Sequence, residues 1–391
     1  MNNDVLYVSF SAFFADLGYQ TAIAIFPIFL VGVLGASAAQ FGIASAVAFG
    51  IGSFFGYLGG IMSDRLNDKY VAILGNALIP LISLMGLAES PTVAVMLFAG
   101  GWWARNFRSP SRRAMLVDSS RPRDRGIVFG FLHMLDIGGG VLSIAILLVL
   151  IVLGVSYSKI LLLTAIPLVI STLLLFPTRK TKRSEEKVTA KNAISDTKKA
   201  ISDTKKSRSS NNTYKGIMIA TAMYGFSSYS FGFPILTIDK ESTPFLAILA
   251  YGLYLAVSAG TGYYIGSRKW KRIKTLGILG YMLSGIGTLV LAAGYFFNEG
   301  IFSLYIGVAL LGFGLGVIET MEPTLISFIK SIKDVGRGLG ALAGYRSLGI
   351  FAANLIMGIL YVFSPAASYL YAAIVAVIAG FVVLFAGRDF E

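Results

Sequence analysis

Apolar runs long enough to cross a bilayer follow one another along the whole chain, and one basic, polar stretch at 178–213 divides them into two sets. About 20 apolar residues in a helix span roughly 30 Å of hydrocarbon. That layer holds no water, so backbone N–H and C=O groups must pair inside the chain, as helices or as a closed barrel. The period-two alternation of a membrane barrel is not seen. The runs therefore predict helical spans at about 5–34, 37–62, 70–88, 92–118, 124–153 and 157–177. Six more follow at about 214–238, 243–266, 273–297, 301–329, 335–363 and 366–387. The expected fold is an all-α membrane protein of twelve transmembrane helices. It divides into a six-helix bundle at 1–177, a basic linker at 178–213 and a second six-helix bundle at 214–391.

Composition removes other classes. Only 14% of the residues are charged, against roughly 25% in a soluble domain, which excludes a soluble enzyme. The net charge of +13 would suit nucleic acid, but its placement does not. Basic residues gather in alternate loops: Arg65 and Lys69; Arg121, Arg123 and Arg125; Arg268, Lys269, Lys271, Arg272 and Lys274; Lys330, Lys333 and Arg337. The opposite loops hold Lys159 and Lys240. This asymmetry predicts a multi-pass protein of the plasma membrane with both termini and the linker in the cytoplasm. The first apolar run lacks a basic leader, so no cleavable signal is expected. There is no cysteine and a single histidine. No phosphate-binding loop, nucleophile elbow or metal-ligand spacing is found, so no cofactor, no metal and no catalytic residue are expected.

Two repeats lie within the chain. The linker holds Ala193-Ile-Ser-Asp-Thr-Lys-Lys199 followed by Ala200-Ile-Ser-Asp-Thr-Lys-Lys206, read as a solvated tether or a lipid-headgroup or regulatory segment. The halves also match at an offset of 210: Asp124 with Asp334, Gly126 with Gly336, Gly130 with Gly340, Gly139 with Gly349. Glycines so spaced let helices approach closely.

The loop after span 2 reads Gly60-Ile-Met-Ser-Asp64-Arg65-Leu-Asn-Asp-Lys69, and the loop after span 4 reads Asp118-Ser-Ser-Arg-Pro122-Arg-Asp-Arg125-Gly126. With twelve spans and a central linker, the chain resembles the major facilitator superfamily along its whole length. It departs where Asn67-Asp68 replace Gly-Arg, where Gly266 replaces the second half's aspartate, and where Ser143-Ile144 replace the Gly-Pro of an antiporter signature. The resemblance implies a conformational latch at Gly60, Asp64 and Arg65. Physically, Asp64 can cap the start of span 11 or pair with Arg112 or Arg113.

Ionisable groups inside a span are expensive and mark function by default. Near mid-depth stand Asp16, Arg105, Asp136, Glu319 and Arg346; nearer the cytoplasm stand Arg108, Arg112, Arg113 and Glu322. Arg105, Arg108 and Arg112 share a helical face, with Trp102 above, and Glu319 and Glu322 share a face of span 10. The resemblance implies that spans 1, 4, 7 and 10 line a central cavity, so a basic face would meet an acidic one across it. The bland alternative is that these groups pair and hold the halves together, with Asp136 and Arg346 as a packing pair between halves. His133 is a packing residue or a proton carrier, since imidazole titrates near neutral pH. Aromatics in spans 7 and 8, Tyr229 among them, either pack or stack on a solute.

The combined expectation is a secondary active transporter working by alternating access as a monomer in the bilayer, with a small organic solute and protons as partners. Arg105, Arg108, Trp102, Glu319 and Tyr229 would hold the solute, an anion being favoured. Asp16, Glu319, Asp136 and His133 would carry protons. Gly60, Asp64, Arg65, Arg112, Arg113, Glu322 and Arg346 would switch the conformation. The alternatives are efflux of amphipathic drugs or cations, metal-ion transport, and a lipid-handling or sensor protein that moves nothing.

Overall fold

The structure, a computed structural model, describes residues 2–121, 125–179, 204–267, 273–329 and 335–386. Helix coincides with every expected span. We number them α1 (Asn3–Val33), α2 (38–65), α3 (Asp68–Leu87), α4 (Pro91–Asp118), α5 (Arg125–Val152) and α6 (Tyr157–Leu173). The second half has α7 in two pieces (α7a, Thr204–Ser227; α7b, Gly232–Glu241), α8 (Pro244–Ser267), α9 (Thr275–Phe296), α10 (Ile301–Ile329), α11 (Val335–Phe363) and α12 (Pro365–Ala386). Helix α7a starts ten residues before the expected 214. The linker repeat at 193–206 lies outside the described residues apart from its last three. So do the Asp64 side chain and the basic clusters at 268–272 and 330–334.

Nine of these helices are long and apolar enough to cross a membrane on their own composition. The other three fall short for separate reasons: arginines fill the second half of α4, α6 is a short helix, and α7 is broken. Ser37 opens α2 with a capping box, its hydroxyl accepting from Gln40 N at 3.2 Å while Gln40 Oε1 accepts from Ser37 N at 2.8 Å, which satisfies otherwise unpaired end groups. Gly35, at φ 71°, ends α1 in the left-handed conformation that favours glycine.

Each half packs by the same scheme. Helix α1 lies on α5, where Gly139 abuts the Phe13 carbonyl; α7a lies on α11, where a Cβ on Gly349 would meet the Gly225 Cα at 2.6 Å. Helix α4 packs on α2 and α3, and α10 packs on α8 and α9 in the equivalent way. The offset of 210 that aligned Gly139 with Gly349 thus marks one close helix approach made twice.

Contact between the halves is uneven along their length. At the end holding the α1–α2 and α11–α12 turns, one core runs through both halves. Phe41 of α2 meets Phe233 of α7b at 5.0 Å, and Phe26 stacks on Phe98 at 3.8 Å. There Gly42 and Gly358 bring α2 and α11 to backbone contact. At the other end the core separates. One cluster, with Val8, Met115 and Leu132, belongs to the first half. The other, with Met218, Leu276 and Met321, belongs to the second.

Candidate functional site

The intramembrane charges lie between the shared core and the split end. Arg105 of α4 points at α1. Its guanidinium lies 5.1 Å from the Tyr19 ring centroid and 4.9 Å from that of Trp102, within cation–π range. Its Nη2 donates to the Tyr19 hydroxyl at 3.3 Å, and that hydroxyl donates a short bond to Asp16 Oδ1. Among the described residues no carboxylate forms a salt bridge with Arg105, and Arg105 Nε and Asp16 Oδ2 are buried without partners. Such atoms are rare and call for an explanation, often a ligand or water.

The other arginines of α4 do not share this setting. Arg112 Nη2 reaches Asp136 Oδ2 of α5 at 3.3 Å. Asp136 stands one turn before Gly139, whose Cβ position lies 3.2 Å from the Asp16 Cβ, so the two aspartates are neighbours. Arg108 departs from the expected cavity face. It is fully buried and donates to Asn76 Oδ1 of α3, whose Nδ2 donates to Ser171 Oγ at 2.8 Å. A three-residue step turns a side chain about 60° from Arg105, enough to aim Arg108 into the bundle. Arg113 is exposed and lies within electrostatic reach of Glu319.

In the second half Arg346 of α11 donates to both acids of α10, Glu319 and Glu322. Glu322 is wholly buried and also accepts from the Tyr281 hydroxyl and from Thr221 Oγ1 at 3.2 Å. Glu319 is 56% exposed. The expected pair between halves, Asp136 with Arg346, is not formed: each has its partner on the preceding helix of its own half. Arg112 and Glu322 are 210 residues apart, and so are Asp136 and Arg346. The duplication therefore keeps the ion pair and reverses its polarity.

Helix α7 breaks at 228–231, where Ser-Tyr-Ser-Phe precedes Gly232 and Pro234. Ser227 and Ser228 hydroxyls both donate to the Tyr224 carbonyl, at 2.7 and 2.9 Å, competing with the helix ladder. Pro234 has no N–H to continue it. The freed Ser230 N–H donates to buried Asn354 Oδ1 of α11 at 2.8 Å, so the break is satisfied inside the protein, as hydrocarbon demands. The break presents Tyr229, whose hydroxyl meets Thr288 Oγ1 at 3.2 Å, and Phe231, stacked on Tyr254 at 4.3 Å. Tyr251 of α8 donates to Gln20 of α1 at 2.8 Å, bringing these rings to the Arg105 side. His133 is exposed and in no ion pair among the described residues; Arg65 is exposed, and Gly60 is loosely packed against Pro110. Tyr19, Gln20, Asn76, Thr221, Tyr281 and Asn354 were not expected; as neutral polar groups in apolar runs they carry little signal alone.

The family model described as Major Facilitator Superfamily matches residues 8–297. An uncharacterized MFS-type transporter of Methanocaldococcus jannaschii is 25% identical over 398 residues, covering 98% of this chain and 95% of the relative. Among solved structures, a D-xylose-proton symporter superposes with TM-score 0.79 at 15% identity, covering 99% of this chain and 97% of that one. A POT family transporter in complex with a thioalcohol-conjugated peptide gives TM-score 0.79 at 12% identity, covering 99% and 96%.

Proposed function

The chain belongs to the Major Facilitator Superfamily, a multi-pass membrane transporter and not an enzyme, and on that premise we propose that it moves a small organic anion by proton-coupled alternating access. The observation that carries the anion is Arg105. Glu319 and Glu322 are matched to Arg346, and Asp136 to Arg112, whereas among the described residues Arg105 has ring contacts and no salt bridge. A planar guanidinium with free in-plane donors suits a bidentate carboxylate. The solute would bind beside the break in α7, since discontinuous helices frame solute sites in such folds.

The proton reading rests on Asp16 and Asp136, adjacent carboxylates that each keep one buried oxygen without a partner among the described residues. Protonation there would weaken the hold on Tyr19 and Arg112. With the termini and linker in the cytoplasm, the shared core is the outer gate and the split end opens inward, in the plasma membrane, with a single chain as the working unit and 1–177 and 214–391 as the rocking bodies.

Proteoliposome uptake tests the reading. Arg105→Ala removes a charge-assisted contact and should weaken solute affinity about tenfold or more; Arg105→Lys keeps the charge but not the fork, and should recover only part. Transport unchanged in Arg105→Ala would end the anion assignment. An inward proton gradient should accelerate wild-type uptake, and Asp16→Asn with Asp136→Asn should abolish that acceleration. If the gradient has no effect on the wild type, the coupling fails while the anion site stands.

A further inference from the structure

We propose that the solute is an aromatic monocarboxylate, its carboxylate on Arg105 and its ring against the Phe231–Tyr254 pair. This rests on the anion reading of Arg105 above and adds the aromatic character and charge of the solute. Three observations carry it.

The first is how Arg105 is held. Tyr19 and Trp102 sit side by side against the guanidinium, their centroids 5.1 and 4.9 Å from it and 6.0 Å from each other, while Nε lies buried with no partner among the described residues, a donor that a carboxylate can fill.

The second is the aromatic group beside it on α7 and α8. Phe231 and Tyr254 stack at 4.3 Å with 30° between their planes, and Tyr251 lies 5.3 Å from Phe231. Tyr251 reaches across to Gln20, the residue after Tyr19, and lies within electrostatic reach of Arg105 and Asp16. Trp102, Phe231 and Tyr254 are each only partly buried, leaving ring surface to cover. A polyhydroxylated acid would exchange its water partners for ring faces there, which is unfavourable. An aromatic ring would gain stacked or edge contacts.

The third is the charge nearby. Asp16 and Asp136 lie next to each other near Arg105, and each keeps a carboxylate oxygen without a partner among the described residues. A second negative group on the solute would face them at short range. The site accepts one negative charge.

The test measures binding to the full chain in detergent by thermal shift and calorimetry, using benzoate, cyclohexanecarboxylate and succinate at one pH and ionic strength. Benzoate should bind about three- to tenfold more tightly than cyclohexanecarboxylate, the range that aromatic pairing supplies, and more tightly still than succinate. Phe231→Leu should bring the benzoate-to-cyclohexanecarboxylate ratio towards one, and the wild-type ratio decides the matter if that variant does not fold. Equal or reversed affinities for these two acids, or tighter binding of succinate, overturn the proposal. If all three bind equally and Arg105→Ala abolishes binding, the anion reading stands and the aromatic one is wrong. If none binds, or Arg105→Ala leaves binding unchanged, both are wrong.

Discussion

Arg346→Ala is expected to destabilise the folded protein by about 3–5 kcal/mol, the loss seen when one partner of a buried ion pair is removed. Arg346 is the sole cation among the described residues in salt-bridge contact with Glu322, whose side chain is wholly buried, and it also holds Glu319. Tyr281 and Thr221 still donate to Glu322 in the variant, but they bring no positive charge. Thermal unfolding in detergent should show the loss, and adding Glu322→Gln should restore most of it, because the penalty comes from the stranded charge. A double variant no more stable than Arg346→Ala would mean that Arg346 acts through packing. The equivalent Arg112→Ala should lose less, since Asp136 is 24% exposed and water can reach it.

The two pairs carry reversed polarity: Arg112 of α4 holds Asp136, whereas Glu322 of α10 is held by Arg346. Each pair is closed inside its own half, with Glu322 wholly buried. Glu322→Arg combined with Arg346→Asp gives the second half the polarity of the first. That variant should keep an internal pair, and its melting temperature in detergent should fall less than that of Arg346→Ala.

Much of this arrangement could be read in the sequence, and the remainder failed for identifiable reasons. Long apolar runs leave helix as the only choice, so the spans were legible even for α4, whose arginines defeat a hydropathy window. The intramembrane charges were legible as unusual residues, but their partners were not. Facing charges on α4 and α10 suggested pairing across the path, while Arg112, Glu319 and Glu322 form their ion pairs with the adjacent helix of their own half. A partial signal was present: Arg112 and Asp136 are separated by the same 24 residues as Glu322 and Arg346, a recurring pair of opposite charges on consecutive helices. The break in α7 was signalled by serines before Gly232 and Pro234, but only the structure brings Asn354 to the freed N–H. Arg108 was misdirected because shared helical spacing defines a face only within about 60°, and a long side chain can lean to either side of it.

Gly42→Ala should open the end that is closed in this structure. A Cβ at Gly42 would sit 2.6 Å from both the Asn354 carbonyl oxygen and the Gly358 Cα. Both are backbone, so relief requires α2 and α11 to separate. Overpacking of this kind costs about 1–3 kcal/mol, and it falls only on conformations in which the helices touch. The open population should therefore rise about five- to 150-fold. The chain has no cysteine, so Ser45→Cys, buried one turn further along α2, provides a clean reporter. Its labelling by a membrane-impermeant thiol reagent should accelerate in the Gly42→Ala background. Gly56→Ala is the control, because its Cβ would meet the nearest atom at an ordinary 3.6 Å, and it should leave labelling unchanged. Gly358→Ala strains the same contact from α11, with the Gly42 Cα at 2.8 Å, and should act in the same direction. The two together should give less than the sum, because once the helices part neither Cβ has anything to strike. Unchanged labelling in both single variants, with only a lower melting temperature, would mean that α2 and α11 stay together through the cycle and that the gate lies elsewhere.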